Sequence, residues 1–384
     1  MNEHKRHERV FRFVRMILLP FAKLLYNFEY QDLSGIEGPY LLLSNHNSDV
    51  DPIFIAGATK KHIYFVATEN ITRMGIIGKF FVTFFHPIIH YKGKIGINTV
   101  KEILKTLKSG YNVALFPEGN RSFNGLTNTD IITPSTGKMA KKSGASLVTF
   151  RIDGAYLSTP RWSRSRRKGK VTARVVNVYT PDMLKSMTED EVNDAIKRDL
   201  YVDAYSVQES DLTEYKGKNL AEYIESTVFS CPSCGKIGTL SSHGSNIQCG
   251  CGFKGFYDEY GYVNSGTEKY TVTELDRKQK LSLKKLFESS TADTELFSDK
   301  ISLLSIGQDH KVKSAEEKLL SGFRDRLRIG ERDFFFDNIS GLSINQRNTL
   351  IIHYSGVEGE EFYNIQGPGP FSALKYLYLY NLAG

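Results

Sequence analysis

Apolar positions follow two different patterns along the first half of the chain. Short continuous apolar runs occur at residues 39–44, 63–67, 87–91, 112–116 and 146–152. Between them lie stretches with helical periodicity, of which 97–108 and 138–142 are examples. Apolar runs of this length are typical of buried strands, and their alternation with helices predicts an α/β layer structure with a largely parallel sheet.

The same pattern continues for about another fifty residues before the chain becomes polar. Residues 171–179 predict one more strand, and residues 182–201 predict a charged helix that closes the domain. We therefore expect an α/β domain over residues 31–205 and a linker over residues 206–228.

The C-terminal part of the chain has a different pattern. A predicted helix at 278–287 precedes short strand-like runs at 323–329, 333–336, 350–354 and 361–365, separated by Gly and Asn turns. Ser372 has the position of an N-cap for a last amphipathic helix that ends near Leu382. Residues 265–384 are therefore expected to form a β-rich domain ending in a helix, with a pleckstrin-like fold as the candidate by analogy.

The first thirty residues are both apolar and basic. Apolar side chains recur at helical spacing at Val10, Phe13, Val14, Ile17, Phe21 and Leu24 or Leu25. No stretch reaches the roughly 20 uncharged residues of a spanning helix. Residues 1–30 are thus expected to form an amphipathic segment in a membrane interface, kinked or divided at Pro20, with an ordinary core helix as the alternative. Arginines interrupt the apolar region and no small-residue cleavage site follows, so a secretory signal peptide is not favoured.

Composition limits the classes of protein that fit these patterns. The 384 residues are 40% hydrophobic and 24% charged, which is ordinary for a globular protein and indicates neither wholesale disorder nor a multispanning membrane protein. The net charge of +7 is concentrated near the N-terminus and at 161–170. We expect an anionic partner: lipid headgroups, an acidic carrier protein or, less favoured, nucleic acid.

Two short strings contain candidate catalytic chemistry. Residues 45–51 read N-H-N-S-D-V-D, and residues 116–122 read F-P-E-G-N-R-S. Each string follows a predicted strand, and the carboxyl ends of strands are where open α/β sheets bind ligands. Taken alone, Asp51 before Pro52 is more typical of a helix N-cap than of a catalytic residue.

Together the two strings resemble the signature of the glycerolipid acyltransferases, which esterify a lysophospholipid such as 1-acylglycerol-3-phosphate. The resemblance extends from about residue 15 to residue 205. It implies that His46 removes the proton of the acceptor hydroxyl while Asp51 orients the imidazole. Five positions on one helix would turn these side chains apart, so His46 is expected on the turn between strand and helix.

The resemblance also implies how the acceptor is bound. Glu118 and Gly119 correspond to residues that shape the acceptor pocket, and Arg121 to a phosphate clamp. The third motif of the family ends in an Arg, where this chain has Lys92, which contacts phosphate without bidentate geometry. The fourth motif is matched only loosely by residues 147–150, which lack its proline. Acceptor recognition is therefore where the chain departs from the family pattern.

The four cysteines lie in two closely spaced pairs, Cys231 with Cys234 and Cys249 with Cys251. Paired thiolates at this spacing are typical of a structural zinc site, and the first pair resembles a zinc-ribbon knuckle. The second pair is C-x-C instead of C-x-x-C, and His243 is near enough to replace one ligand. We expect a zinc-ribbon-like segment over residues 229–264, with disulfides as the less favoured alternative for a protein that uses cytosolic acyl donors.

A zinc ribbon near a basic loop also fits a nucleic-acid-binding protein. The ribbon, however, lacks a dense field of interleaved basic and aromatic residues, and the loop at 161–170 lies inside the acyltransferase resemblance. Trp162, next to arginines, is expected to contact a membrane surface or an acidic acyl carrier, with a solvated loop as the plain alternative.

The sequence therefore predicts a peripheral membrane acyltransferase on the cytoplasmic face of the cell membrane. It is expected to transfer an acyl group from acyl-CoA or an acyl carrier protein thioester to 1-acylglycerol-3-phosphate, giving phosphatidate. The absence of a G-x-S-x-G elbow favours direct attack by the acceptor hydroxyl over a covalent intermediate. Two alternatives remain: an acyltransferase for a glycolipid or amine, and a non-catalytic lipid-binding or regulatory protein.

Overall fold

The computed structural model describes residues 3–68, 71, 75–90, 96–306, 312–356 and 359–384. The chain divides into two compact units. The first unit comprises Met1–Pro160 and Arg166–Lys216, and the second comprises Arg161–Ser165 and Gly217–Gly384.

The first unit alternates helices and strands. Its described helices are α1 (Glu3–Tyr26), α2 (Asp51–Ala58), α3 (Gly75–Phe85), α4 (Ile97–Lys108), α5 (Ser135–Ser143), α6 (Ala155–Ser158), α7 (Pro181–Ser186), α8 (Glu189–Leu200) and α9 (Ala204–Ser210). Its described strands are β1 (Phe28–Tyr30), β2 (Tyr40–Ser44), β3 (Ile63–Thr68), β4 (Ile88–His90), β5 (Asn112–Leu115), β6 (Ser146–Asp153) and β7 (Val171–Tyr179). The α/β class predicted from the apolar runs is confirmed, and each predicted run contains a strand.

These strands form one mixed sheet in the order β1-β7-β6-β2-β5-β3-β4. Within the described residues, neighbouring strands pair in parallel except for β6 and β7, which are antiparallel. The chain leaves β2 toward β3 on one side and leaves β5 toward β6 on the other side. The carboxyl ends of β2 and β5 therefore lie at a topological switch point, the usual place for a ligand crevice.

Alternate side chains of the central strands pack on opposite faces of the sheet. Leu42 and Ala114 share one apolar cluster with residues of α1 and α2, including Phe54. Leu41 and Val113 belong to a second cluster with residues of α4, α5 and α8. Because successive strand residues point to opposite faces, burial on both faces explains why these strands appear as continuous apolar runs.

One predicted helix is in fact two. The run at 182–201 forms α7 and α8, with a break at Met187 and Thr188. Thr188 is the N-cap of α8, and its side chain accepts a hydrogen bond from the backbone of Glu191 in a reciprocal capping box. This cap satisfies otherwise unpaired N–H groups, so it starts a new helix where periodicity alone suggested continuation.

Helix α1 has apolar side chains on two faces. The helix continues through Pro20, so the predicted division at this residue does not occur. Phe11 and Val14 are buried against the sheet side, whereas Phe13 and Phe21 are exposed. No described helix has an apolar stretch of the length that crossing a membrane requires.

The second unit contains two helices and two antiparallel sheets among its described residues. The helices are α10 (Val272–Ser289) and α11 (Ala373–Ala383). The smaller sheet, in the order β12-β11-β10-β9-β8, consists of β8 (Leu240–His243), β9 (Asn246–Cys249), β10 (Lys254–Tyr257), β11 (Val263–Ser265) and β12 (Glu268–Tyr270). The larger sheet, in the order β16-β15-β14-β13-β19-β18-β17, consists of β13 (Phe297–Ile306), β14 (Val312–Gly322), β15 (Arg326–Ile329), β16 (Arg332–Phe335), β17 (Ile339–Asn345), β18 (Thr349–Gly356) and β19 (Gly359–Gln366). The β-rich C-terminal region ending in a helix is confirmed, and the pleckstrin-like comparison stays a prediction.

Candidate active site and cysteine cluster

His46 lies on the turn between β2 and α2, beside Asp51. Its Nδ1 is 2.9 Å from Oδ2 of Asp51. The Asp51 side chain is fully buried, whereas that of His46 is 20% exposed. The ring of Phe116 stacks on the imidazole with centroids 4.2 Å apart. A carboxylate on Nδ1 and an aromatic ring on one face fix the orientation of the imidazole and leave Nε2 as its atom for proton transfer.

Asp51 does not act as a side-chain cap of α2. The helix begins at Asp51 with Val50 as N-cap, and no side chain makes the cap hydrogen bond. Instead, Asp51 Oδ2 accepts hydrogen bonds from the backbone N–H groups of Asn47 at 2.6 Å and Ser48 at 2.9 Å. The Ser48 hydroxyl donates to the other carboxylate oxygen. Asp51 therefore organises the His46 turn, and the capping alternative does not describe its contacts.

Glu118 reaches the same turn from the other string. Its two carboxyl oxygens accept hydrogen bonds from the backbone N–H groups of His46 and Asn128, both at 2.9 Å. The backbone carbonyl of His46 accepts a hydrogen bond from the Ser122 N–H at 2.9 Å. Both backbone polar groups of His46 are thus held by residues of the second string. Burial raises the pKa of Glu118 to about 7, against the lowering effect of the two N–H donors.

Arg121 lies next to the turn and is paired with an acid. Its side chain is 8% exposed, and its Nε is 3.1 Å from Oδ1 of Asp49. Gly119 has a φ of 63°, a left-handed conformation that side chains disfavour. Lys92, the predicted counterpart of the third motif's Arg, lies outside the described residues. Of the predicted substrate-binding residues, the structure therefore places Glu118, Gly119 and Arg121 near His46.

Several supporting residues were not predicted. The Asn45 amide donates to the carbonyl of Ile152 at 2.9 Å and accepts from its N–H at 2.8 Å, which ties the end of β2 to β6. Phe116 and Ser122 belong to the second string but were given no role. Such residues act through backbone contacts and ring stacking, for which the sequence carries no signal beyond their place in the two strings.

The four cysteine sulfurs of the second unit form a compact cluster. All ligand atoms lie within 4.8 Å of one another. The Sγ atoms of Cys231 and Cys251 are 3.7 Å apart, and those of Cys234 and Cys249 are 3.9 Å apart. A disulfide would need about 2.05 Å, whereas four thiolates about 2.3 Å from one zinc ion lie about 3.8 Å apart. The donor set therefore fits tetrahedral zinc, and His243 is not a member of this cluster.

The expected surface role of Trp162 is wrong. Its side chain is 1% exposed. The indole N–H donates to the carbonyl of Leu220 at 3.4 Å, and the ring packs edge-on against Tyr257. A buried indole cannot contact a membrane or a carrier protein, since its apolar area is already used in the core of the second unit.

Comparison with known proteins agrees with this chemistry. Residues 25–153 match the family model described as Acyltransferase. This segment contains both strings, so the resemblance to acyltransferases drawn from the motifs is confirmed for residues 25–153. Among solved structures, the chain is similar to the 1-acyl-sn-glycerophosphate (LPA) acyltransferase PlsC from Thermotoga maritima. That match has 20% sequence identity and a TM-score of 0.44, and it covers 55% of this chain and 83% of that chain.

Proposed function

We propose that this acyltransferase esterifies the free hydroxyl of a lysophospholipid, with 1-acylglycerol-3-phosphate as acceptor and phosphatidate as product. The donor is an acyl thioester of coenzyme A or an acyl carrier protein. The observation that carries the proposal is the 2.9 Å contact between His46 Nδ1 and Asp51 at the carboxyl ends of two adjacent parallel strands. A buried acid behind a partly exposed imidazole is the arrangement that general-base catalysis on a hydroxyl requires.

The proposed reaction proceeds by direct attack. Nε2 of His46 takes the hydroxyl proton as the acceptor oxygen bonds to the thioester carbonyl carbon. The tetrahedral intermediate then collapses, the carbon–sulfur bond breaks, and the imidazolium returns the proton to the leaving thiolate. Asp51 stabilises the imidazolium between these two steps. Atoms and charge balance without a covalent enzyme intermediate.

One neighbouring side chain suits the phosphate of the acceptor. Arg121 presents a planar guanidinium, which matches a phosphate.

We further propose that α1 attaches the protein to the cytoplasmic face of the cell membrane. Its exposed apolar side chains recur at helical spacing at Phe13, Met16, Ile17, Phe21 and Leu24. Basic residues precede and flank this stripe, among them Lys5, Arg9 and Arg12. A helix with an exposed apolar stripe and basic flanks fits the interface of an anionic membrane.

The cysteine cluster is proposed to hold a structural zinc ion. Cys231, Cys234, Cys249 and Cys251 would fill all four positions of a tetrahedral ion. No position would then remain for substrate. The ion would hold two segments of the second unit together and take no part in acyl transfer.

Turnover by the purified protein tests the proposed function. Lysophosphatidate in mixed micelles is supplied with coenzyme A and carrier-protein thioesters of several chain lengths, and phosphatidate is measured by mass spectrometry. Monoacylglycerol, a monoacylated glycolipid and a long-chain amine serve as alternative acceptors. We expect turnover of lysophosphatidate, with a KM that rises at least tenfold in Arg121→Gln.

Two outcomes would contradict the proposal in different ways. Absence of turnover with every donor and acceptor would favour a lipid-binding or regulatory protein. Turnover that is indifferent to Arg121→Gln would favour an acceptor without phosphate.

For α1, sedimentation with phosphatidylglycerol vesicles should fall when Phe13 and Phe21 are both replaced by Ser, and unchanged binding would refute the membrane contact.

A further inference from the structure

Arg121 is the proposed phosphate clamp, yet its guanidinium already has an acidic partner. The Nε of Arg121 lies 3.1 Å from Oδ1 of Asp49, a distance typical of a charge-assisted hydrogen bond. Asp49 belongs to the same short turn as His46 and Asp51. The carboxylate of the turn thus occupies part of the surface that an acceptor phosphate would need.

The two partners differ in how firmly they are held. The Arg121 side chain is 8% exposed, whereas the Asp49 side chain is 66% exposed. An exposed carboxylate keeps most of its hydration and can turn into solvent at little cost. The free-energy cost of losing a partner is larger for a buried guanidinium, because a charge that loses a partner in a poorly solvated place is unfavourable. The pair therefore opens by movement of Asp49.

The local charge balance makes Asp49 a competitor of an anionic ligand. Three carboxyl groups, those of Asp49, Asp51 and Glu118, lie in the two strings, and that of Asp49 contacts the guanidinium of Arg121. A phosphate that reaches Arg121 must displace the Asp49 carboxylate or lie beside it. Like charges a few ångströms apart repel, so either course weakens phosphate binding.

We propose that Asp49 is a specificity-determining residue that occupies Arg121 in the free enzyme and competes with the acceptor phosphate for it. The proposal rests on the proposed function for the class of acceptor. As a consequence, the enzyme selects its acceptor by the part of the molecule beyond the phosphate. A small phosphate ester alone displaces Asp49 poorly, whereas a lysophospholipid adds the binding energy of its acyl chain.

Binding of glycerol 3-phosphate, the headgroup without its acyl chain, tests this competition without any turnover. Its affinity is measured by calorimetry for the wild type, Asp49→Asn, Arg121→Gln and the double variant. We expect Asp49→Asn to bind about threefold to tenfold more tightly. The gain should vanish in the double variant, because it depends on the guanidinium that Asp49 releases.

A charge control separates this effect from a change in net charge. Asp182→Asn removes an exposed acid that pairs with Lys185 in the first turn of α7, and it should leave the affinity unchanged. Circular dichroism melts check that Asp49→Asn remains folded. Equal, weaker or undetectable binding by Asp49→Asn overturns the proposal, and so does a gain of the same size in Asp182→Asn.

Kinetics add a second readout. In Asp49→Asn, the KM for lysophosphatidate should fall by a similar factor, the KM for monoacylglycerol should not change, and the effect should appear in KM rather than in kcat. If the wild type does not turn over lysophosphatidate, the proposed function fails. The glycerol 3-phosphate comparison still decides the role of Asp49.

Discussion

The His46 turn and the cysteine cluster both bring together polar side chains from separate segments, but different forces hold them. In the turn, Asp51 and Glu118 accept hydrogen bonds from backbone N–H groups of Asn47, Ser48, His46 and Asn128. In the cluster, sulfur atoms approach to 3.7 and 3.9 Å without a covalent bond. The turn is organised by hydrogen bonds within the protein, whereas the sulfur distances of the cluster fit four thiolates around one ion.

This difference matches the two proposed tasks. A catalytic site benefits from groups that are oriented before substrate arrives, because no reorganisation is then needed in the transition state. The second unit has short strands near its cysteines, and a bound ion can supply the cohesion that a small apolar core does not. We therefore expect metal removal to lower the stability of the second unit and substitution of Asp51 to lower the rate of acyl transfer.

Loss of the metal should have the largest effect. Zinc binding by structural sites is worth about 10–16 kcal/mol, so Cys231→Ser should abolish stoichiometric zinc and unfold the segment around the cluster. Elemental analysis and thermal melts measure both effects. Ser233→Ala, an exposed non-ligand in the same knuckle, is the control and should retain one zinc per chain. A wild type with far less than one zinc ion after gentle purification would refute the assignment.

Substitution of the acid behind His46 should have the next largest effect. Asp51→Asn offers the imidazole an amide in place of a carboxylate, so we expect kcat to fall by about a thousandfold or more. Asp32→Asn is the matched control, because Asp32 is a surface acid that pairs with Lys60 at 2.9 Å. A loss in Asp51→Asn of less than tenfold would show that the carboxylate does not assist the imidazole.

The pH dependence of stability sharpens the account of the His46 turn. The pKa of Glu118 is raised by burial from 4.5 to about 7. A raised carboxyl pKa means that the folded state holds the proton more tightly, so this contribution is full below pH 4.5 and is lost as the pH rises through 7. The group should contribute roughly 2–3 kcal/mol of stability at pH 5 that is absent at pH 8.

Glu118→Gln removes this titration while keeping the shape of the side chain. Denaturant unfolding gives the free energy of unfolding of each protein at pH 5 and at pH 8. The change between these two pH values should differ between wild type and variant by roughly 2–3 kcal/mol. The same pH response in both proteins would contradict the buried, protonatable carboxyl group.

A second buried group should respond to pH in the opposite sense, with a slightly smaller effect. The pKa of His62 is lowered from 6.5 to about 3, first by burial and then by His7, His4 and His86. The unfolded chain therefore takes up the proton first, and stability is lost as the pH falls below 6.5. Between pH 7.5 and pH 5 this loss should be about 2 kcal/mol, and it should be absent in His62→Leu. An equal loss in the variant would exclude His62 as its source.

The sequence predicted the proximity of His46 and Asp51 better than the hydrogen bonds that hold the turn around them. The H-x4-D spacing between His46 and Asp51 and the strand before each string were enough to place the two side chains together. The hydrogen bonds of Glu118 and Asn45 could not be predicted, because their partners are backbone groups of distant residues. Side-chain type does not indicate which N–H group a buried acid or amide will bind.

The fold was predictable where strands are buried on both faces. The central strands β2 and β5 are almost wholly buried and appear as plain apolar runs. The sequence analysis missed strand β14, since its first six residues are exposed and its sequence is charged. Its partner β13, with the sequence FSDKISLLSI, was missed as well. Cross-strand pairing maintains such strands without the alternation that sequence patterns detect.

The most direct test of the account is the rate of acyl transfer by His46→Ala beside the wild type, with lysophosphatidate and the preferred thioester. The account predicts a fall in kcat of at least about a thousandfold, since the general base is lost, with the fold intact by circular dichroism. A variant that retains a rate within tenfold of the wild type would contradict the assignment of His46 as the base.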